Sequence, residues 1–201
     1  MQTIVWDIDD VLNNLMQSWF EESWLPSHPD CRLSFIEITE NPPHRLLGVD
    51  STHYLDSLDQ FRLSIEADRM IPDAFLLEWF RKYGPRFRHI ALTARPVNTI
   101  SPAVQWTLRY FGSWFQSFGF VPAKRPDATF SGPDKTKEQY LAWLGKADYF
   151  IDDSSDNISA AISLGIQAFL VKRPWNRGGS EIQDILGRIL LTSELLAQEE
   201  H

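Results

Sequence analysis

Two groups of aspartates carry the chemistry of this chain most directly. The apolar run Ile4-Val5-Trp6 ends abruptly in Asp7-Ile8-Asp9-Asp10, and much later Tyr149-Phe150-Ile151 ends in Asp152-Asp153 in the same way. In an extended chain the side chains at i and i+2 point to one side, so Asp7 and Asp9 are expected to converge on one cation or one substrate at a strand end. Four carboxylates at two strand ends repel one another unless a cation or protons intervene. A bound divalent metal is the simplest resolution, with Asp7, Asp9, Asp152 and Asp153 as its candidate ligands.

Such a site needs a scaffold that brings separate strand ends together. From about residue 85 onward short apolar runs alternate with helical patterns, which predicts successive βα units and a parallel sheet covered on both faces. Strands are expected near 3–7, 88–93, 118–122, 147–151 and 166–170, and helices near 73–83, 98–111, 135–145, 156–164 and 181–197. Pro72 and Asp134 read as helix start signals, Asp156 as an N-cap and Gly165 as a helix stop.

The stretch 14–71 breaks this rhythm. It opens as an aromatic-rich amphipathic segment and continues through Pro26, Pro29, Pro42 and Pro43 without strand alternation. We read it as a small, mainly helical cap inserted after the first strand, with the catalytic core formed by 1–13 and 72–201. An insertion at that point folds over the carboxyl edge of the sheet, where open α/β sheets bind ligands.

With 201 residues, 43% of them hydrophobic, the chain is long enough to bury a core. Its 27 acidic residues against 19 basic ones give a net charge of −8, which argues against a nucleic acid polymer or an anionic membrane as the main partner. A small anionic metabolite then needs a local positive site. The single cysteine, Cys31, cannot form an internal disulfide, and the histidines show no zinc spacing. No run reaches about 18 uninterrupted apolar residues, so the expected location is a reducing cytoplasm.

Taken together and in order, DIDDVLN at 7–13, ALTARP at 91–96, GPDKTK at 132–137 and FIDDSSDN at 150–157 resemble the haloacid dehalogenase superfamily of phosphohydrolases. The resemblance covers the core and leaves only the insertion unmatched. It implies a Rossmann-like three-layer α/β/α fold, Mg²⁺ as cofactor and catalysis through an aspartyl-phosphate.

Carried over residue by residue, the resemblance makes Asp7 the nucleophile that attacks phosphorus. Asp9 becomes the acid/base, kept protonated when needed by the negative cluster, with its backbone carbonyl also on the metal. Thr93 matches the hydroxyl that holds the transferring phosphoryl group. Lys135 matches the lysine that neutralises phosphate and nucleophile, with Lys137 as its rival two residues on. Asp152 and Asp153 complete the metal site, Asp153 being the favoured direct ligand, and Asn157 is a candidate to support that site from behind its ligands or to contact the substrate. Two positions depart from the pattern: Asp10 stands where glycine is common, and Val11 where threonine is common.

The second aspartate favours phosphate-ester cleavage over dehalogenation. The insertion, the LTARP and DKT strings and Arg173-Pro174-Trp175-Asn176 look most like the 5'(3')-deoxyribonucleotidase group. That resemblance suggests a nucleoside monophosphate as the small phosphorylated substrate. Trp19 and Trp24 would then offer a stacking face for the base unless they are simply core, and Arg95 either faces the substrate from a strand-end loop or is a surface charge. Sugar-phosphate or metabolite-repair phosphatases are the competing enzymatic readings, and a catalytically silent phosphate-binding protein is the reading of another class. Oligomeric state is not legible from the sequence.

Overall fold

In a computed structural model, which describes residues 1–125 and 131–199, five parallel strands form one sheet in the order β3-β2-β1-β4-β5. The strands are β1 (Thr3–Trp6), β2 (Arg88–Ala94), β3 (Phe115–Val121), β4 (Tyr149–Asp152) and β5 (Gln167–Leu170). The chain leaves β1 for β2 on one side and later returns to its other side as β4. That reversal opens a crevice at the carboxyl end of β1, the usual ligand position in open parallel sheets.

The central strands β1 and β4 are buried throughout and, apart from Thr3 and Asp152, apolar, because both faces are covered. Ile4 and Trp6 of β1 point into one layer with Trp79, Phe80, Phe111 and Ile185. Val5 points into the other with Leu92, Phe150, Leu141 and Ile158. The helices that supply these layers are α5 (Ala74–Tyr83), α6 (Ile100–Phe111) and α9 (Ile182–Glu199) on the first face, and α7 (Lys137–Leu144) and α8 (Ser155–Ser163) on the second. This is the three-layer architecture the alternating pattern predicts.

Local capping fixes the helix starts differently from expectation. Asp73, not Pro72, accepts from Phe75 and Leu76 at the start of α5. Thr136, not Asp134, accepts from Gln139 and starts α7 at Lys137. Ser154 rather than Asp156 caps α8. Each such cap contributes about 1 kcal/mol, enough to move a boundary by a residue or two. Gly165, at φ +77°, terminates α8 as its position suggests.

The 14–71 segment is mainly helical. It contains α1 (Leu15–Trp19), a π-helical turn at Phe20–Trp24, α2 (Leu25–Ser27), α3 (Ser51–Arg62) and α4 (Ile65–Arg69). Its apolar side chains, including Trp19, Trp24, Tyr54, Leu58 and Phe61, form a hydrophobic cluster of their own, separate from the two layers on the sheet. Among the described residues no helix is long and apolar enough to cross a membrane.

Candidate active site

The site forms where β1, β2 and β4 end. The Asp7 amide donates to Ile151 O at 2.9 Å, so the β1–β4 pairing runs one step past the strand and sets Asp7 beside Asp152. Trp6 is in register with Ala91, which brings the buried Thr93 of β2 to the same edge. Asp7, Asp152 and Asp153 are all buried and offer carboxylate oxygens within 4.8 Å of one another. Three oxygen donors without sulfur or imidazole suit a hard divalent cation such as Mg²⁺.

Among the described residues a single lysine meets this cluster, and it is Lys137. Its buried Nζ lies 2.8 Å from Asp7 Oδ2 and 2.7 Å from Asp152 Oδ2. The expectation for Lys135 is corrected here. That residue precedes the helix, its side chain is exposed, and its amide donates to Gln139 Oε1 at 2.7 Å. The sequence reading placed the helix start two residues early, whereas α7 begins at Lys137 and its first turn aims that side chain into the sheet edge. Lys135 still lines, with Ala94, Lys137, Ser154 and Asn157, a cavity of about 200 Å³ beside the cluster.

Asp152 is held from several sides. Its oxygens accept from the Ser154 amide at 2.8 Å and from Asn157 Nδ2 at 3.1 and 3.2 Å, besides Lys137. Asn157 thus holds the Asp152 carboxylate of the cluster rather than that of Asp153. Asp153 accepts from Trp175 Nε1 at 2.8 Å, and its backbone carbonyl accepts from Asn176 Nδ2.

Burial pushes the Asp7 carboxyl well up, with Asp152, Asp153 and Asp9 adding to the rise and Lys137 opposing it. Burial, together with Asp152 and Asp10, raises Asp153 to about 8. Such a cluster is short of positive charge, which is the electrostatic condition for taking up a cation.

Asp9 behaves otherwise, and two expectations change with it. The strand stops at Trp6 and the chain turns, so the alternation that would aim Asp9 alongside Asp7 lapses; the Asp9 side chain is outside the three-carboxylate cluster. It is gripped by Arg95, which contacts both of its oxygens, one through Nε at 2.7 Å, and by Arg62 of α3 at 3.3 Å. Burial favours the protonated form, but the two guanidiniums outweigh it and hold the carboxyl below its ordinary range. The negative cluster therefore does not keep Asp9 protonated here.

Arg95 is buried against Asp9 and against Thr99 O at 3.3 Å, so its visible role is to hold that carboxylate. Arg62 also contacts Asp59 at 3.0 Å, and Asp59 in turn pairs with Arg125 from the loop after β3 at 2.6 Å. A chain of alternating charges thus runs from the core through α3 and back. Sequence reading missed Arg62, Asp59 and Arg125, because the Arg62–Asp9 and Arg125–Asp59 pairs join distant parts of the chain and the Asp59/Arg62 spacing on α3 is that of an ordinary solvated helix face.

Asp10 explains the missing glycine. Its φ of +59° is the left-handed conformation that glycine adopts without strain. The aspartate side chain adds a bond that glycine lacks, since its Oδ1 accepts from the Met16 amide at 3.0 Å and caps α1 from a distance, while its backbone amide donates to Asn13 Oδ1 at 3.1 Å. Burial lifts Asp10 to about 7, against the pull of Arg173, whose Nε donates to the Asp10 carbonyl at 2.8 Å.

Trp19 and Trp24 do not present a stacking face. They are 0% and 1% exposed in the 14–71 cluster, where Trp24 stacks on His28 with ring centroids 3.7 Å apart. Their amphipathic helical spacing reflects a core, not a ligand surface.

No protein-family model matches the chain, and no curated protein does. Solved structures do. A hydrolase from Streptococcus pneumoniae TIGR4 superposes with a TM-score of 0.60 at 10% identity, over 94% of this chain and 97% of that one. A HAD-superfamily hydrolase of subfamily IA, variant 1, from Geobacter sulfurreducens PCA gives 0.53 at 15% identity, over 92% and 96%. A haloacid dehalogenase-like hydrolase from Streptococcus pneumoniae gives 0.54 at 14%, over 93% and 90%. The chain therefore has, over almost its whole described length, the fold of the haloacid dehalogenase-like hydrolases.

Proposed function

We propose that the chain is a Mg²⁺-dependent phosphomonoester hydrolase that acts on a small phosphorylated metabolite through a phospho-Asp7 intermediate. The observation that carries this reading is the Lys137 ammonium between Asp7 and Asp152, with Asp153 completing a buried three-carboxylate cluster at the end of the central strand.

Asp7, Asp152 and Asp153 would hold the cation, together with the Asp9 carbonyl. A bound Mg²⁺ would supply charge neutralisation on the phosphoryl oxygens. Asp7 is aimed by its own neighbour, since the Ile8 amide donates to Oδ1 at 2.7 Å while Lys137 takes Oδ2. That leaves one oriented carboxylate to attack phosphorus. Lys137 neutralises both the nucleophile and the arriving phosphoryl group, and Thr93 hydrogen-bonds that group from the adjacent strand. Asp9 receives a proton from the hydrolytic water in the second half-reaction, the role its ionised state fits. To donate a proton to the leaving oxygen in the first half, it must loosen its pairs with Arg95 and Arg62.

The 14–71 segment would serve as the cap, since α3 reaches the site through Arg62. Nucleoside monophosphates remain the substrate class the motif resemblance suggests. Burial of Trp19 and Trp24 removes the base-stacking support for it, and sugar phosphates stand beside it as the competing class. The test is phosphate release from nucleoside monophosphates, sugar phosphates and an aryl phosphate, with Mg²⁺ and with chelator. Chelator-sensitive release is expected. Release from none of them would favour the silent phosphate-binding protein.

A further inference from the structure

Trp175 stands at a junction that the catalytic account does not use. It lies in the loop after β5, and its indole Nε1 donates to Asp153 Oδ2 at 2.8 Å. Its ring meets Phe35 of the 14–71 segment edge to face, with centroids 6.1 Å apart and an interplanar angle of 83°. Among the described residues beyond 71, it is the one that packs against the hydrophobic cluster of that segment. The adjoining residues make the loop rigid: Asn176 donates to the Asp153 carbonyl and receives the Arg173 amide at 2.7 Å, and Arg173 Nε donates to the Asp10 carbonyl at 2.8 Å.

The chemistry of the donor matters. A neutral N–H bound to one carboxylate oxygen fixes the plane of the group and leaves the other oxygen for a cation. A lysine or arginine at the same place would cancel the charge the cation needs. Partners that orient a ligating carboxylate in this way are worth about 10–100-fold in metal affinity. Because the same ring is also packed on Phe35, a displaced cap removes one of the contacts that hold the indole against Asp153.

We propose that Trp175 is the positioning residue of the metal site and that, through Phe35, it links metal occupancy to the placement of the cap. This rests on the reading of Asp153 as a metal ligand. Linkage is reciprocal: if the seated cap favours the oriented Asp153, a bound cation favours the seated cap by the same factor.

The test is calorimetric titration of the full chain with Mg²⁺ alone, comparing wild type, Asp153→Asn, Trp175→Phe, Phe35→Ala and the double variant, with the metal-free thermal midpoint of each. Wild type should bind and Asp153→Asn should not; failure of either would sink the ligand assignment itself. Given that pattern, Trp175→Phe keeps the ring and loses the N–H, and should bind Mg²⁺ about 10–100-fold more weakly at a nearly unchanged metal-free midpoint. Phe35→Ala keeps the N–H and should weaken binding at least about fivefold, with an effect that does not add to that of Trp175→Phe. Wild-type affinity in Trp175→Phe would overturn the positioning role. Wild-type affinity in Phe35→Ala, or strict additivity, would overturn the link to the cap. Should Trp175→Phe fail to fold, Phe35→Ala decides alone by the same criterion.

Discussion

The Nζ of Lys137 lies 2.8 Å from Oδ2 of Asp7, across the gap between the first turn of α7 and the end of β1. The same ammonium is 2.7 Å from Asp152, so one cation sits between the proposed nucleophile and the proposed metal cluster. Burial alone would lower a lysine, but Asp152 and Asp7 hold this one above its ordinary range and permanently charged.

Lys137→Ala should therefore lower kcat/KM by about 10²–10³-fold, the usual effect of removing one preorganised charge-stabilising donor. Lys135→Ala should reduce activity far less, since it is Lys137 whose ammonium contacts Asp7 and Asp152. Steady-state kinetics on both variants checks the ranking, and an equal or reversed loss would move the phosphate-binding role to Lys135.

The raised carboxyls predict how stability responds to pH. Asp10 at about 7 and Asp153 at about 8, with Asp7 also raised, bind protons in the folded state that the unfolded chain releases near 3.8. The folded state then carries more protons between these limits, so stability falls as pH rises through the window. Asp9 is lowered and acts only below that range. Thermal midpoints of the chelated protein should drop between about pH 6 and about pH 8, and saturating Mg²⁺ should flatten the drop by favouring ionised Asp7 and Asp153. A chelated protein equally stable at both would contradict this.

Asp10 separates backbone strain from capping. Asp10→Ala loses the bond to the Met16 amide and keeps the positive φ, while Asp10→Gly loses the bond but relieves the φ. Chemical denaturation should find the glycine variant the more stable of the two by about 1 kcal/mol. An alanine variant as stable as the glycine one would mean that the left-handed backbone is not strained.

What was legible in the sequence follows from where the physics is local. Strand ends announce themselves because an apolar run must stop where the sheet meets water, so Asp7, Asp152 and Asp153 are readable as one edge, whereas Thr93 was reached only through the order of the motifs. The choice between Lys135 and Lys137 is not local. It depends on whether Thr136 or Asp134 caps α7, a difference of about one hydrogen bond. Asp9 misled because the period-two rule holds only while the chain stays extended, and it turns after Trp6. Arg62 and Arg125 were out of reach because their partners, Asp9 and Asp59, lie 53 and 66 residues away. Trp175 stood in a motif that sequence singled out, but its contact with Asp153 exists only once β5 is laid beside β4.

The central claim is that Asp7 forms a covalent bond to phosphorus. The most direct measurement is rapid acid quench of the enzyme turning over an aryl phosphate with Mg²⁺, followed by peptide mass spectrometry. A phosphoryl group is expected on the peptide that carries Asp7, lost with chelator and absent, along with turnover, in a folded Asp7→Asn variant. Undiminished hydrolysis by Asp7→Asn, or phosphoryl transfer to a different residue, would contradict it.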